Sequence, residues 1–203
     1  MRKTLLIALA AAIPLLAVAG YAAAGGQSKL ADVRDATAAF HDLGAAKDAG
    51  YTLELPDTSG NTCIANLDDP AAGAMGVHMV NVGLLDDPST ATPFDDTTLD
   101  PTRPEALVYE KRNNGTLKLV AVEYVVFQAA WEAEHGVGSK PSLFGHEFDP
   151  NPGTRFGLPP FYALHAWVWQ PNPSGTFAAF NPAVSCANAP APTAADVAAH
   201  PHH

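Results

Sequence analysis

Residues 117–127 read LKLVAVEYVVF. From Leu119 to Phe127 the run is apolar on both alternating parities, so a strand made from it is covered on both faces. That requirement constrains the whole chain. A sheet must flank this strand, and something apolar must lie above and below it. The only charged residue between Leu119 and Phe127 is Glu123. A carboxylate there must be protonated, hydrogen-bonded, paired with a cation or bound to metal, because an isolated buried charge is too costly.

The rest of the chain supplies elements to meet that need. Residues 28–49 have helical spacing, with Ser28 as N-cap, Leu30, Val33, Thr37, Phe40 and Gly44 on one stripe, and Gly50 as the stop. Beyond Gly50 the texture becomes short apolar runs divided by Pro, Gly, Asn and Asp, the pattern of an antiparallel sheet with long loops. Strands are expected at 51–55, 76–85 and 162–170. A hairpin is expected over Ala106–Phe127, and a three-residue loop around Asn114 places Glu110 opposite Lys118. Residues 86–104, with four prolines and five aspartates, read as an exposed loop. Residues 128–137 read as a short helix or loop, and 138–160 as a Pro/Gly-rich excursion. The expected fold class is therefore α+β: an N-terminal helix packed on an antiparallel sheet, open or curled toward a barrel, with long loops.

At 203 residues with 47% hydrophobic side chains, the chain suits one domain with a real core. That domain is expected over 28–186. Residues 187–203, rich in Ala and Pro, read as a disordered tail. Residues 1–24 read as a Sec-type signal peptide. Arg2 and Lys3 precede an apolar run over Leu5–Val18, and small residues offer cleavage after Ala19 or Ala24. The run is short for a spanning helix, so no stable membrane insertion is expected after cleavage, and the location is secreted or periplasmic. Loss of Arg2 and Lys3 leaves nine bases against 21 acids, a charge of −12, which argues against a nucleic-acid partner. The two cysteines, Cys63 and Cys186, then meet an oxidising compartment, and the expected outcome is one disulfide. A Cys-based catalyst or metal site is the weaker reading, since neither cysteine has a CxxC neighbour or an adjacent His.

Two histidines share the apolar setting of Glu123. His78 lies in Val77-His78-Met79-Val80, and His165 in Ala163-Leu164-His165-Ala166-Trp167. If their strands turn these side chains to one face, two imidazoles and a carboxylate converge in a donor set suited to zinc, copper, iron or manganese. His146, in the loop segment Phe144-Gly145-His146-Glu147-Phe148, is the candidate fourth ligand or proton-transfer group. Three other outcomes stay open. Glu123 can pair with Arg103 or Arg155 as a structural ion pair. Trp167, Trp169, Phe177 and Phe180 can line a metal-free pocket for a small molecule. Or the buried polar groups can serve only to satisfy one another in a structural envelope protein. Motifs such as HExxH, CxxCH, GxSxG, a P-loop and GxGxxG are absent from the sequence.

The segments GAMGVHMVNVGLL (73–85), RPEALVYE (103–110), LKLVAVEYVVF (117–127), SLFGHEF (142–148) and YALHAWVWQPNPSGTFAAFNPAVSC (162–186) resemble a set of small exported bacterial hypothetical proteins. The resemblance spans roughly residues 30–186. It implies an exported bacterial protein and assigns no activity to any residue.

Overall fold

A computed structural model describes residues 29–189; the signal segment read at 1–24 and the tail from 190 onward lie outside the described residues. The chain opens with helix α1 (29–37), whose Leu30 and Val33 are buried. The continuous helix expected to 49 is broken. A 3-10 turn at Ala38–His41 intervenes, and Asp42, in extended conformation, caps a second helix, α2 (Leu43–Asp48), by accepting from the Gly44 and Ala45 amides. Aspartate competes well for backbone donors outside a helix, so a new cap outcompetes continuation.

Nine strands follow among the described residues: β1 (Leu53–Glu54), β2 (Cys63–Ala65), β3 (Ala74–Val80), β4 (Ala106–Lys111), β5 (Leu117–Phe127), β6 (Ser142–Leu143), β7 (His146–Glu147), β8 (Asp149–Asn151) and β9 (Phe161–Ala166). Helix α3 (Gln128–His135) follows directly on β5. Seven strands form one antiparallel sheet in the order β1-β3-β4-β5-β9-β8, with β2 pairing beside β1 along the same edge of β3. The doubly apolar strand is thus central. The sheet does not curl into a barrel: its edges are the very short β1 and β2 on one side and β8 on the other. Pro150 in β8 has no amide proton to offer a further strand.

Glu110 does stand opposite Lys118 in the β4–β5 hairpin. The two do not pair with each other, since Lys118 bonds Gln170 and Glu110 accepts from the Ser185 amide. Strand β9 stops at Ala166, short of the expected Gln170. The Trp167 amide turns to the Thr176 carbonyl, and the Trp169 and Gln170 amides both turn to Val120.

Register fixes which residues share a face. On one face Val77, Met79, Leu107, Tyr109, Val122, Tyr124, Val126, Tyr162 and Leu164 merge with Leu30, Val33 and Ala46 into the main core. Polar bonds hold the helices there: the Tyr109 hydroxyl donates to the Phe40 carbonyl, Trp169 Nε1 to Thr37 Oγ1, and Arg34 Nε to the Val168 carbonyl. The opposite face carries two smaller apolar clusters, one around Val108, Ala121 and Trp167, the other around Val80, Ala106, Phe127 and Phe161. The 86–104 loop is not wholly exposed, because Leu99 packs on the main core and Phe94 stacks on Phe127 at 4.3 Å. A disulfide joins Cys63 to Cys186, with a Cα separation of 5.6 Å. Among the described residues no helix is long and apolar enough to cross a membrane.

Candidate metal centre

Between those two smaller clusters the sheet places three polar side chains. Glu123 on β5 lies directly across from His165 on β9 and, on its other side, from Ala106 on β4. His78 on β3 pairs with Val108, one step along the same face. Strand β4 separates β3 from β5, and Ala106 is short enough for the side chains of His78 and Glu123 to meet over it. All three polar residues are buried: His78 and His165 are 3% exposed and Glu123 is 9%.

The contacts are nearly equal. His78 Nε2 lies 3.4 Å from Glu123 Oε2 and 3.4 Å from His165 Nε2, and His165 Nδ1 lies 3.6 Å from Glu123 Oε1. Both nitrogens of His165 therefore face the cluster. Nδ1 of His78 has no hydrogen-bond partner among the described residues. These separations exceed a good hydrogen bond, which spans about 2.7–3.2 Å. The two contacts of His78 Nε2 match the edge of a coordination tetrahedron, since metal–ligand bonds of about 2.0–2.1 Å hold tetrahedral ligand atoms roughly 3.3–3.4 Å apart. The 3.6 Å contact joins the other nitrogen of His165 to the other oxygen of Glu123 and belongs to a different pair of donor atoms. The three residues lie close enough to bind a metal ion.

The ion-pair alternatives fail on distance. Arg155 Nε faces Asp57 at 3.7 Å, Lys140 pairs with Glu147, and no arginine or lysine pairs with Glu123 among the described residues. Without a cation, burial alone pushes the Glu123 carboxyl up to about 8. Burial pulls His78 down to about 4, opposed by the Gly76 backbone and aided by the charge of Arg155. Burial also takes His165 down to about 3, with His78 adding to the shift. The imidazoles are therefore neutral across ordinary pH, the form in which histidine ligates metal.

His146 is not brought to this set. It sits exposed on β7, its ring 4.1 Å from Phe177, in a hairpin whose Phe144 packs against Tyr124 on the helix-bearing side of the sheet. Three of the four aromatics expected to line a pocket are engaged in other contacts. Trp167 donates to the Ala178 carbonyl, Trp169 donates to Thr37, and Phe177 packs against Phe144 and His146. A cavity of about 180 Å³ does open beside the triad, walled by Leu53, Leu55, Phe94, Phe127, Phe156 and Phe161, with His78 and Glu123 reaching it. Phe127 and Phe161 share strand parity with Glu123 and His165, which is the signal in the sequence that marks them.

Sequence reasoning also passed over Glu105. It is 3% exposed, accepts from the Val125 amide at 2.9 Å, and is pushed up to about 8, mainly by burial. Its side chain takes a backbone donor of β5 just where β4 begins, a structural use of a second buried carboxyl. Comparison with protein-family models, curated proteins and solved structures finds no match to this chain.

Proposed function

We propose that this is an exported protein, secreted or periplasmic, that binds one divalent transition metal through His78, Glu123 and His165. The observation that carries the reading is the convergence of three buried side chains from three strands, each offering one donor atom within 4.8 Å of the others, with His78 Nε2 3.4 Å from both His165 Nε2 and Glu123 Oε2. Two imidazoles and one carboxylate without sulfur suit zinc, ferrous iron, manganese or cupric ion better than cuprous ion. Three protein ligands leave a coordination position open, as in sites that activate water or substrate, whereas purely structural zinc sites are closed by four. A bound ion would supply Lewis acidity at that position. The chain's own residues hold the ion on rigid strands, keep the imidazoles neutral and surround the position with apolar side chains. The disulfide fits an oxidising compartment. The resemblance to small exported bacterial proteins agrees with the signal read at 1–24.

Elemental analysis tests the reading. The protein is purified without a histidine tag or chelating column, with His200, His202 and His203 changed to alanine so that tail histidines add no metal. Near-stoichiometric metal that is lost in both Glu123→Gln and His165→Ala is the expected result. Absence of metal after incubation with zinc, iron, manganese and copper overturns it.

A further inference from the structure

The cavity beside the triad opens to solvent past the exposed side chains of Leu53 and Val82, and its lining is mostly apolar. Its scale suits a small ligand, since an engineered apolar cavity of about 150 Å³ in another protein binds benzene. This one measures about 180 Å³. Its walls are Leu53 and Leu55 at the β1 edge, Val80 and Leu85, Val125 and Phe127 on β5, and Phe156, Leu158 and Phe161 across the sheet. The polar side chains at its wall are His78 and Glu123, together with Asn151. Water gains little in such a space, because a buried water needs two to four polar partners.

One wall is held in place at a conformational cost. Phe94 has φ 60°, a left-handed conformation that a side chain this bulky rarely adopts. Its amide donates to Asp86 Oδ1 at 2.6 Å, and its ring stacks on Phe127. The 86–104 loop thus spends strain to hold an aromatic ring over the cavity. Strain of this kind persists where surrounding structure enforces it, and it concentrates at ligand sites.

We infer that this cavity binds a neutral small organic molecule of about six to ten non-hydrogen atoms, apolar except for one hydroxyl or carbonyl directed at His78 and Glu123. An anionic ligand would find no lysine or arginine among these walls to offset its desolvation. The site does not depend on the metal-binding reading. It shares His78 and Glu123 with the triad, while His165 does not line it.

That separation gives the experiment. The full chain is titrated with p-cresol and with toluene, in chelator and with zinc, and amide shifts are followed by heteronuclear NMR. Saturable shifts at Val80, Phe94, Val125 and Phe161 are expected, with toluene binding about tenfold weaker or worse because it leaves the polar wall unpaired. Leu55→Trp, or Val125→Phe should the first variant fail to fold, fills the cavity. Either is expected to weaken p-cresol at least about tenfold while metal content is kept. His165→Ala is expected to lose metal while p-cresol binding in chelator stays within about threefold. No saturation at these residues overturns the cavity as a ligand site, as does undiminished binding in a folded cavity-filling variant. Equal affinity for toluene overturns the polar head.

Discussion

Glu123 competes for protons and for metal with the same two oxygens, and the sign of that competition can be worked out. In the metal-free chain its carboxyl is pushed up to about 8, whereas His78 and His165 sit at about 4 and 3 and are already neutral. Binding a cation between about pH 5 and 8 therefore releases one proton, from Glu123. Apparent metal affinity is expected to rise about tenfold per pH unit from 5 to about 8 and then level. Competition against a chelator of known pH dependence, with calorimetry in two buffers of different ionisation heat, measures both the slope and the proton count. A flat profile would mean that metal does not displace a proton from Glu123. The same groups set metal-free stability. Glu105 and Glu123 keep their protons to about 8 when folded but lose them near 4.5 when unfolded, so stability falls as pH rises through that interval. The histidines act oppositely: only the unfolded chain takes up their protons below 6.5, so stability falls as pH drops from 6.5 toward 4. The two effects offset each other between about 4.5 and 6.5, leaving a plateau, and above 6.5 the carboxyls act alone. Glu123→Gln removes one of them. Urea midpoints in chelator at pH 7 and pH 8.5 are expected to differ about half as much in that variant as in the parent.

At the scale of elements, the site exists because strand β4 presents a methyl group where β3 and β5 must meet above it. Ala106 is 1% exposed and stands across from Glu123. Ala106→Leu pushes a branched chain into the space between His78 and Glu123, so metal binding is expected to be lost. Stability should fall by about 1–3 kcal/mol, the usual cost of overpacking. Ala106→Gly keeps the space open and is expected to retain metal, even at some cost in strand stability; metal content and urea midpoint for the pair separate blockage from unfolding. This dependence on a neighbour's small side chain explains what the sequence could and could not convey. The central strand, the hairpin register and the buried polar trio were legible, because alternation and the hairpin loop constrain strands directly. The exclusion of His146 was not legible: which side of the sheet receives the β6–β7 hairpin depends on Phe144 packing against Tyr124, a contact between segments with no local signature. The break at Asp42 was written in the sequence as an N-cap, but the apolar stripe running through it carried more weight. The cavity's walls come from six separate stretches of chain, and only the parity of Phe127 and Phe161 announced any of them.

For the whole molecule, the disulfide is a covalent long-range tie, joining residues 123 positions apart. Cys63 sits on edge strand β2, paired with Val77, and Cys186 follows the segment in which Asn181 bridges Ala74. The bond thus fastens the chain's last described stretch to the β2 edge of the sheet, beside the middle of β3. By loop-closure entropy, a cross-link over so long a span contributes about 4–5 kcal/mol, a large share of the 5–15 kcal/mol by which a domain is usually stable. The triad is built from β3, β5 and β9, whose pairing does not pass through either cysteine. Stability and site should therefore come apart. A Cys63→Ala/Cys186→Ala variant is expected to show a urea midpoint lowered by the equivalent of about 4 kcal/mol, yet to hold metal in unchanged stoichiometry at low temperature, where it is still folded. Metal in turn should raise the midpoint of parent and variant by the same increment, since a ligand that binds only the native state adds stability according to its affinity and concentration. Midpoints with and without zinc for both chains form a cycle. Equal increments mean that the disulfide and the triad stabilise the fold independently. A smaller increment in the variant would mean that the cross-link holds the sheet in the geometry the three ligands require.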